Sequence, residues 1–415
     1  MQNLEAAVIP MEQSFKDLEI LFPKKIISVD EIRDTNSTAI FSDKTVSFLD
    51  LLSKKLLKNP MAKAYPDVIS FAFFCRKGNI NKLKKAYFNE EIIRIGRGIV
   101  FHIAPSNVPV NFAYTLLSGL LSGNVNIVRV PTKDYEQVRI ISNSISELST
   151  EYNYNEVLQR IILIRYQKTA SFTDLFSSIC DVRVIWGGDN TINQIRRSII
   201  PAKAFDITFV DRYSICIIDA DNYLKEKKFQ AIAKGFYNYT YLLDQNACTA
   251  PHLIIWRGEG EIVKKAQLKF WSVLKGLLAD LYPEISPIIA VNKLTTFYTQ
   301  AFDLNKIERV HKENNLLWRV EFDDVPKLIE NYRSNSGYFS ETKIENLKEI
   351  KSLVTRKFQT LSYFGIDNDE LKEFIEDSSL RGIDRVVPIG KTLDFSLQWD
   401  GYDLIYSLSR VCNIN

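Results

Sequence analysis

From Gly98 onward, short apolar runs of strand length alternate with segments of helical spacing, a rhythm that few architectures accommodate. Gly98-Ile-Val-Phe-His-Ile-Ala104 reads as a buried strand and Pro105-Ser-Asn-Val-Pro109 as a loop. Val110 to Leu121 has helical spacing, Gly123-Asn124 is a turn, and Val125 to Val130 is a second apolar strand. The pattern recurs as a strand over Arg160 to Arg165, a helix near Ala170 to Ser178 and a strand over Val182 to Trp186. Gly187-Gly188-Asp189 then opens a helix reaching about Ile199. Strands separated by helices of this length pair through crossovers that cover both sheet faces. The sequence therefore predicts an α/β fold built on a doubly wound, mostly parallel sheet of the dinucleotide-binding kind.

A second α/β lobe follows. It comprises a strand over Ser214 to Asp219, a helix from about Tyr223 to Leu242, the loop Asp244-Gln-Asn-Ala-Cys-Thr-Ala-Pro251 and a strand over Leu253 to Trp256. Beyond these come a helix from Glu261 to Leu281, strand-like pieces near Lys306 to Val310 and Leu317 to Phe322, a strand over Gln359 to Phe364, and the closing segment Asp384 to Gly390. The opening residues carry helical patterns around Ser47 to Lys58, the aromatic-rich stretch Val68 to Phe74 and the basic Lys82 to Lys85. The expected division is a helical lead-in over 1–90, a dinucleotide-binding domain over 91–215 and a catalytic domain over 216–390. The last segment, 391–415, is expected to return to the first domain or to form an oligomer interface.

At 415 residues the chain exceeds one ordinary core, which suits two interlocked domains and two substrates. With 53 basic and 50 acidic residues and no long basic block, it lacks the electrostatic footprint that nucleic acid requires. Met1 to Asp30 has no signal-peptide pattern and no apolar run approaches ~20 residues, so no membrane span and a cytoplasmic location are expected. The five cysteines are scattered and odd in number, and the three histidines are not spaced with other ligands. A disulfide framework and a metal site are both disfavoured.

Cys248 stands out because its loop is polar, with Asp244, Gln245, Asn246 and Thr249 around it, and joins two apolar elements. A thiol so placed can meet solvent and substrate, and its thiolate is favoured wherever N–H groups or a helix N-terminus point at it. Cys75, Cys180, Cys216 and Cys412 sit among apolar or aromatic neighbours and read as small core hydrophobes. Asn107, held between two prolines at a strand end, can aim a stiff amide donor at an oxyanion, although a turn asparagine is the plainer reading. Gly187-Gly188 suits a strand-to-helix turn near a cofactor but is weak alone. His102 and His252 read as structural.

Taken together, the segment 98–109, Leu-Leu-Ser-Gly-Asn-Val-Asn-Ile-Val-Arg129, Trp186-Gly-Gly-Asp, the Cys248 loop, and Asp384-Arg-Val-Val-Pro-Ile-Gly followed by Trp399-Asp-Gly resemble the LuxC-type acyl-CoA reductases. These are a branch of the aldehyde-dehydrogenase superfamily. The resemblance runs from about Tyr65 to the end and implies an aldehyde-dehydrogenase-like fold of two α/β lobes. It implies that Cys248 accepts an acyl group from acyl-CoA or another acyl thioester. Asn107 and the Cys248 backbone N–H are implied as the oxyanion hole, and a nicotinamide cofactor as the reductant. An acyl-activating synthetase as partner and a homo-oligomeric assembly are further implications.

Arg129 falls where the superfamily usually has a ribose-reaching lysine, and Thr132 where it often has a glutamate that binds the ribose hydroxyls. A carboxylate there would repel a 2′-phosphate, whereas Thr132 with Arg129 and Lys133 would welcome it, which favours NADPH over NADH. The glutamate that activates water in hydrolytic relatives aligns with about Phe209, or, on a shifted alignment, near Asp211. Without that base an acyl-enzyme can persist until it is reduced. The rival readings are a CoA-acylating aldehyde dehydrogenase working oxidatively and a non-catalytic subunit that retains the fold.

Overall fold

The computed structural model describes residues 18–24, 28–89, 91–167, 171–282, 286–304 and 307–414. Ala170 and Lys306, at the ends of two expected elements, lie outside the described residues, as does most of the opening stretch read for a signal peptide. The chain divides into two compact units, one running to Val210 and resuming at Tyr402, the other spanning Asp211–Gly401.

The N-terminal part of the first unit carries β1 (Glu19–Phe22), β2 (Ile93–Gly96), β3 (Ile99–Ile103), β4 (Val125–Arg129), β5 (Ile161–Arg165), β6 (Val182–Trp186) and β7 (Phe205–Phe209). Its main sheet has the order β1-β5-β4-β3-β6-β7. All neighbours are parallel except β1, which adds antiparallel to β5. That edge strand lies within the stretch read as helical lead-in. Its residues Glu-Ile-Leu-Phe are too few to display a period, and only the free edge of β5 gives them partners.

Because the order reverses at β3, crossovers leave β3 and β6 in opposite directions. The carboxyl ends of β3 and β6 are therefore the topological switch point, the usual ligand position in such sheets. Ile99, Phe101, Val125, Ile127, Ile162, Ile164 and Ile185 fill one core, while Val100 and Val128 on the other face are equally buried. Both faces being covered is why these strands read as unbroken apolar runs. The helix Asp43–Lys58 adds Val46, Phe48, Leu49, Leu52 and Leu56 from a single stripe. The terminal strand Ser409–Cys412 pairs antiparallel with β2.

The second unit holds β8 (Tyr213–Asp219), β9 (Pro251–Arg257), β10 (Ile307–Glu313), β11 (Leu317–Phe322), β12 (Tyr338–Ile344), β13 (Phe358–Phe364) and β14 (Arg385–Pro388). Their order is β10-β11-β12-β9-β8-β13-β14, parallel throughout except for the β10–β11 hairpin. Ile215, Ile217, Leu253, Ile255 and Leu361 point to one core. Cys216, Ile218, Ile254 and Trp256 point to the other, against Phe236, Phe270 and Trp271 from the covering helices. The single helix expected from Tyr223 to Leu242 is two, Ala220–Lys225 and Phe229–Thr240. The run Glu226-Lys-Lys228 between them has no apolar residue to bury and stays outside the helices.

Candidate active site

In the first unit, six of the residues singled out in the sequence lie at or just beyond the carboxyl ends of the adjacent strands β4, β3 and β6. Asn107 is exposed in the loop after β3. The flanking prolines restrict φ, and Tyr135 donates its hydroxyl to the Ser106 carbonyl at 2.7 Å, tying this loop to the one after β4. Lys133 lies in that second loop with its ammonium 5.0 Å above the Tyr135 ring, and the neighbouring Thr132 is half-buried. Arg129, the last residue of β4, donates from Nη2 to the Tyr166 carbonyl at 3.1 Å and lays its guanidinium 4.7 Å over the Tyr166 ring. Burial lowers its pKa, and its buried Nε has no partner among the described residues. At the end of β6, Gly187 donates its amide to the Phe209 carbonyl at 3.1 Å, and Gly188 caps the helix Asp189–Ile195. A Cβ on Gly188 would meet nothing within 4 Å, so this turn is open.

His102 supports the platform from beneath. Asn126 donates its amide to the Asn124 and Arg160 carbonyls, which leaves Asn126 Oδ1 as an acceptor for His102 Nε2 at 3.1 Å. His102 Nδ1 must then accept from the Thr115 hydroxyl at 2.7 Å. Burial pushes this imidazole down to about 4, so it is neutral and structural. A Cβ at Gly119 would stand 1.8 Å from Asn126 Oδ1, so only glycine lets the helix Asn111–Leu121 approach the network.

In the second unit, Cys248 sits on the loop that leads into β9. The loop opens with two non-glycine residues in the left-handed region, Asp244 (φ 50°) and Gln245 (φ 60°), a strain of roughly 1–2 kcal/mol each. Buried Gln245 offsets it by bonding with both ends of its amide to Pro251, Gly337 and Tyr338. Asn246 accepts from Asn335 Nδ2 at 2.6 Å. The Ser214 hydroxyl donates to the Cys248 carbonyl at 2.6 Å and accepts from the Thr360 amide at 3.3 Å, which fixes the cysteine's peptide over β8 and β13.

Cys248 is half-buried, whereas Cys75, Cys180 and Cys216 are fully buried. Cys412, read as a core residue, is instead half-buried on a terminal strand, accepting from Arg410 Nη1 at 3.1 Å. An edge strand cannot cover it. Around the Cys248 sulfur stand groups that the sequence reading gave no role. Burial pushes its thiol up to about 11, and the Asp400 carboxylate adds to the rise. Gln359, the cysteine's own backbone amide and Arg385 pull the other way. The resting sulfur is therefore a thiol: desolvation and a nearby anion outweigh the available N–H donors.

Asp400 is itself buried, its side chain 3% exposed, and burial pushes it up to about 6 despite Arg212 Nε at 2.8 Å. Gln359 Nε2 donates to its Oδ1 at 3.1 Å. The one signal for Asp400 in the sequence is the string Trp399-Asp-Gly401, where both Asp400 (φ 54°) and Gly401 (φ 79°) are left-handed. Nothing local in the sequence marks Gln359 or Ser214. Phe209, at the aligned place of the missing base, is buried and stacked on Trp186 with ring centroids 3.7 Å apart. Asp211 is half-exposed and held by Arg333 at 2.5 Å. His252 is buried and pushed down to about 3.

The profile of the acyl-CoA reductase (LuxC) family matches residues 30–413. The chain belongs to the acyl-CoA reductase (LuxC) family. A long-chain acyl-protein thioester reductase of Vibrio harveyi is 23% identical over 306 residues, 71% of this chain and 59% of that protein. The chain thus matches about three fifths of that relative's length. Among solved structures, a lactaldehyde dehydrogenase superposes with a TM-score of 0.63 at 10% identity, covering 89% of this chain and 85% of the other. A Thermus 1-pyrroline-5-carboxylate dehydrogenase with bound NAD gives 0.57 at 14% identity, covering 89% and 79%. The LuxC chain therefore has the aldehyde-dehydrogenase fold. Among its described residues no helix is long and apolar enough to cross a membrane.

Proposed function

We propose that this LuxC-family chain reduces an activated acyl thioester to an aldehyde through an acyl-cysteine on Cys248, with NADPH as reductant. The observation that carries the reading is Cys248 itself. It is a half-buried cysteine on a braced polar loop, beside an amide donor and a buried carboxylate, in a chain matched almost end to end by the acyl-CoA reductase profile. The relatives named as acyl-protein thioester reductases support the substrate class.

In the first step Cys248 Sγ attacks the thioester carbonyl, the bond to the departing thiol breaks, and the Cys248 proton leaves on that thiol. The departing thiol is no more basic than the buried Cys248 sulfur, so it leaves without a strong acid. The reading assigns Asn107 the donation of its side-chain amide to the oxyanion. The residues fit a dinucleotide. The turn at Gly188, open where a Cβ would stand, the unpartnered Arg129 Nε, Thr132 and exposed Lys133 lie at the carboxyl ends of the parallel strands β6 and β4 that flank β3, and no carboxylate stands at 132 to repel a 2′-phosphate. When bound, reduced nicotinamide would supply a hydride to the acyl carbon; with one proton from solvent the C–S bond then breaks, releasing the aldehyde and the Cys248 thiol.

Water is the competing acceptor. Phe209 carries no base and Asp211 is engaged by Arg333, an arrangement that favours reduction over hydrolysis. The acyl donor is acyl-CoA or an acyl group handed over by an activating synthetase, and the working form is a homo-oligomer. The test compares turnover of fatty acyl-CoA plus NADPH with that of fatty aldehyde plus NADP and CoA. Faster reduction supports the proposal. Faster oxidation makes the chain a CoA-acylating dehydrogenase, and no turnover of either, with no acyl-protein formed, makes it a non-catalytic subunit.

A further inference from the structure

Three strands of the second unit converge on one sulfur. Ser214 on β8 holds the Cys248 carbonyl at 2.6 Å and the Thr360 amide at 3.3 Å, so the nucleophile's peptide and the start of β13 share a single anchor. Gln359, the residue before Thr360, is 3% exposed, and its amide comes within hydrogen-bonding reach of the sulfur. The same Gln359 nitrogen donates to Asp400 Oδ1 at 3.1 Å. A carboxamide nitrogen has two hydrogens, so it can serve a carboxylate and a sulfur at once. Gln359 Oε1 is buried with no partner among the described residues. Its carboxamide is thus turned by what Nε2 gains, not by any bond to the oxygen.

Asp400 is in turn held in place. Arg212 Nε lies 2.8 Å from Asp400 Oδ1, and the Arg212 Nη2 end is engaged by Asp384. Arg385 faces the sulfur from β14 but is committed to the carbonyls of Thr392, Lys391 and Asp394 and to the Trp399 ring. The charged groups acting on Cys248 are therefore Asp400 and Arg385, and those acting on Asp400 are Arg212 and Asp384.

We propose that Gln359 and Asp400 together set the reactivity of Cys248. Gln359 donates an N–H to the sulfur as it becomes anionic. Asp400 fixes the direction of that donor, while its own negative charge keeps the resting sulfur protonated. In this proposal Gln359 is the donor to the sulfur, and Asp400 acts through it as a positioning residue. The inference rests on Cys248 being the acyl acceptor. Its physical consequence is a nucleophile that resists oxidation and stray alkylation at rest but keeps a prepared donor for attack. Because Asp400 titrates near pH 6, its field fades below that pH. The alkylation profile of Cys248 should therefore depart from a single-ionisation curve there.

The experiment follows iodoacetamide alkylation of Cys248 across pH, read by mass of the Cys248 peptide in the intact folded protein, with acylation by a fatty acyl-CoA measured in parallel. Asp400→Asn keeps an oxygen acceptor for Gln359, removes the charge, and places asparagine at a left-handed position that it tolerates well. A like charge at short range typically moves a pKa by ~1 unit or more, so alkylation at pH 8 should rise roughly three- to tenfold and the feature near pH 6 should vanish. Gln359→Met removes the donor at similar volume and should slow alkylation by a comparable factor. It also serves if Asp400→Asn fails to fold. Unmoved profiles in folded variants, with Cys248 still acylated, overturn the proposal and leave the acyl-cysteine reading intact. Acylation that persists in Cys248→Ala overturns that reading, whereas the alkylation shifts report on Gln359 and Asp400 regardless.

Discussion

Gln245 reaches from the strained start of the nucleophile loop to Tyr338 on β12. It donates from Nε2 to the Tyr338 carbonyl at 3.0 Å and accepts on Oε1 from the Tyr338 amide at 3.3 Å and the Gly337 amide at 3.0 Å. A second donation, to the Pro251 carbonyl at 2.9 Å, closes the loop on itself. The side chain acts as a spacer that fixes Cys248 relative to the sheet.

Gln245→Leu keeps the volume and strands these buried donors and acceptors, at a cost of about 2–4 kcal/mol. We expect a lower Tm together with loss of Cys248 acylation. A variant that melts lower yet acylates at the normal rate would show that the brace serves stability alone.

Asn107 is exposed on a loop fixed by prolines and by Tyr135, so replacing it removes a donor without opening a core. Asn107→Ala should fold normally and lose ~10²–10³ in turnover at saturating acyl-CoA, the usual consequence of losing one oxyanion donor. Undiminished turnover would remove Asn107 from the chemistry.

Thr132→Glu adds a carboxylate in the loop after β4, close in sequence to Arg129 and Lys133. Repulsion of a 2′-phosphate should raise KM for NADPH by at least about tenfold while KM for NADH falls or holds. Equal effects on both cofactors would place the ribose phosphate elsewhere.

Acid should destabilise the protein through its buried imidazoles. His102 is pushed down to about 4 from 6.5, and His252 to about 3, so the native state stays neutral where the unfolded chain binds protons. The stability is fully present above pH 6.5 and is lost as the pH falls from there toward about 4. His102 contributes on the order of 3 kcal/mol across that window. Urea unfolding at pH 7.5 and pH 5 should show the loss, and His102→Gln should show a smaller pH dependence. An unchanged pH dependence in the variant would mean that another group governs it.

What was legible in the sequence follows from how each element is buried. β3, β4, β6, β8 and β9 are covered on both faces and appear as largely apolar runs, so their places were readable within a residue or two. β12 was not, although it lies inside its sheet between β11 and β9. Its Ser340, Glu341 and Thr342 are buried, and Glu341 accepts from Trp256, Trp271 and Arg319, partners distant in sequence. The helix Pro287–Leu304 also escaped reading because its pattern is inverted. Ile288, Val291, Tyr298 and Phe302 are exposed while Lys293 and Gln300 are buried.

The candidate site divides in the same way. Cys248 and Asn107 carry local signatures, a polar loop and a pair of prolines. Gln359, Asp400 and Ser214 gain their roles only through contacts 34 to 146 residues away in sequence.

The most direct test of the account is the intact mass of the protein after incubation with a fatty acyl-CoA, with and without NADPH. The account predicts an added acyl mass on wild type and on Cys75→Ala, none on Cys248→Ala, and its discharge as aldehyde when NADPH is supplied. An acyl adduct retained by Cys248→Ala, or one on wild type that NADPH leaves untouched, would contradict it.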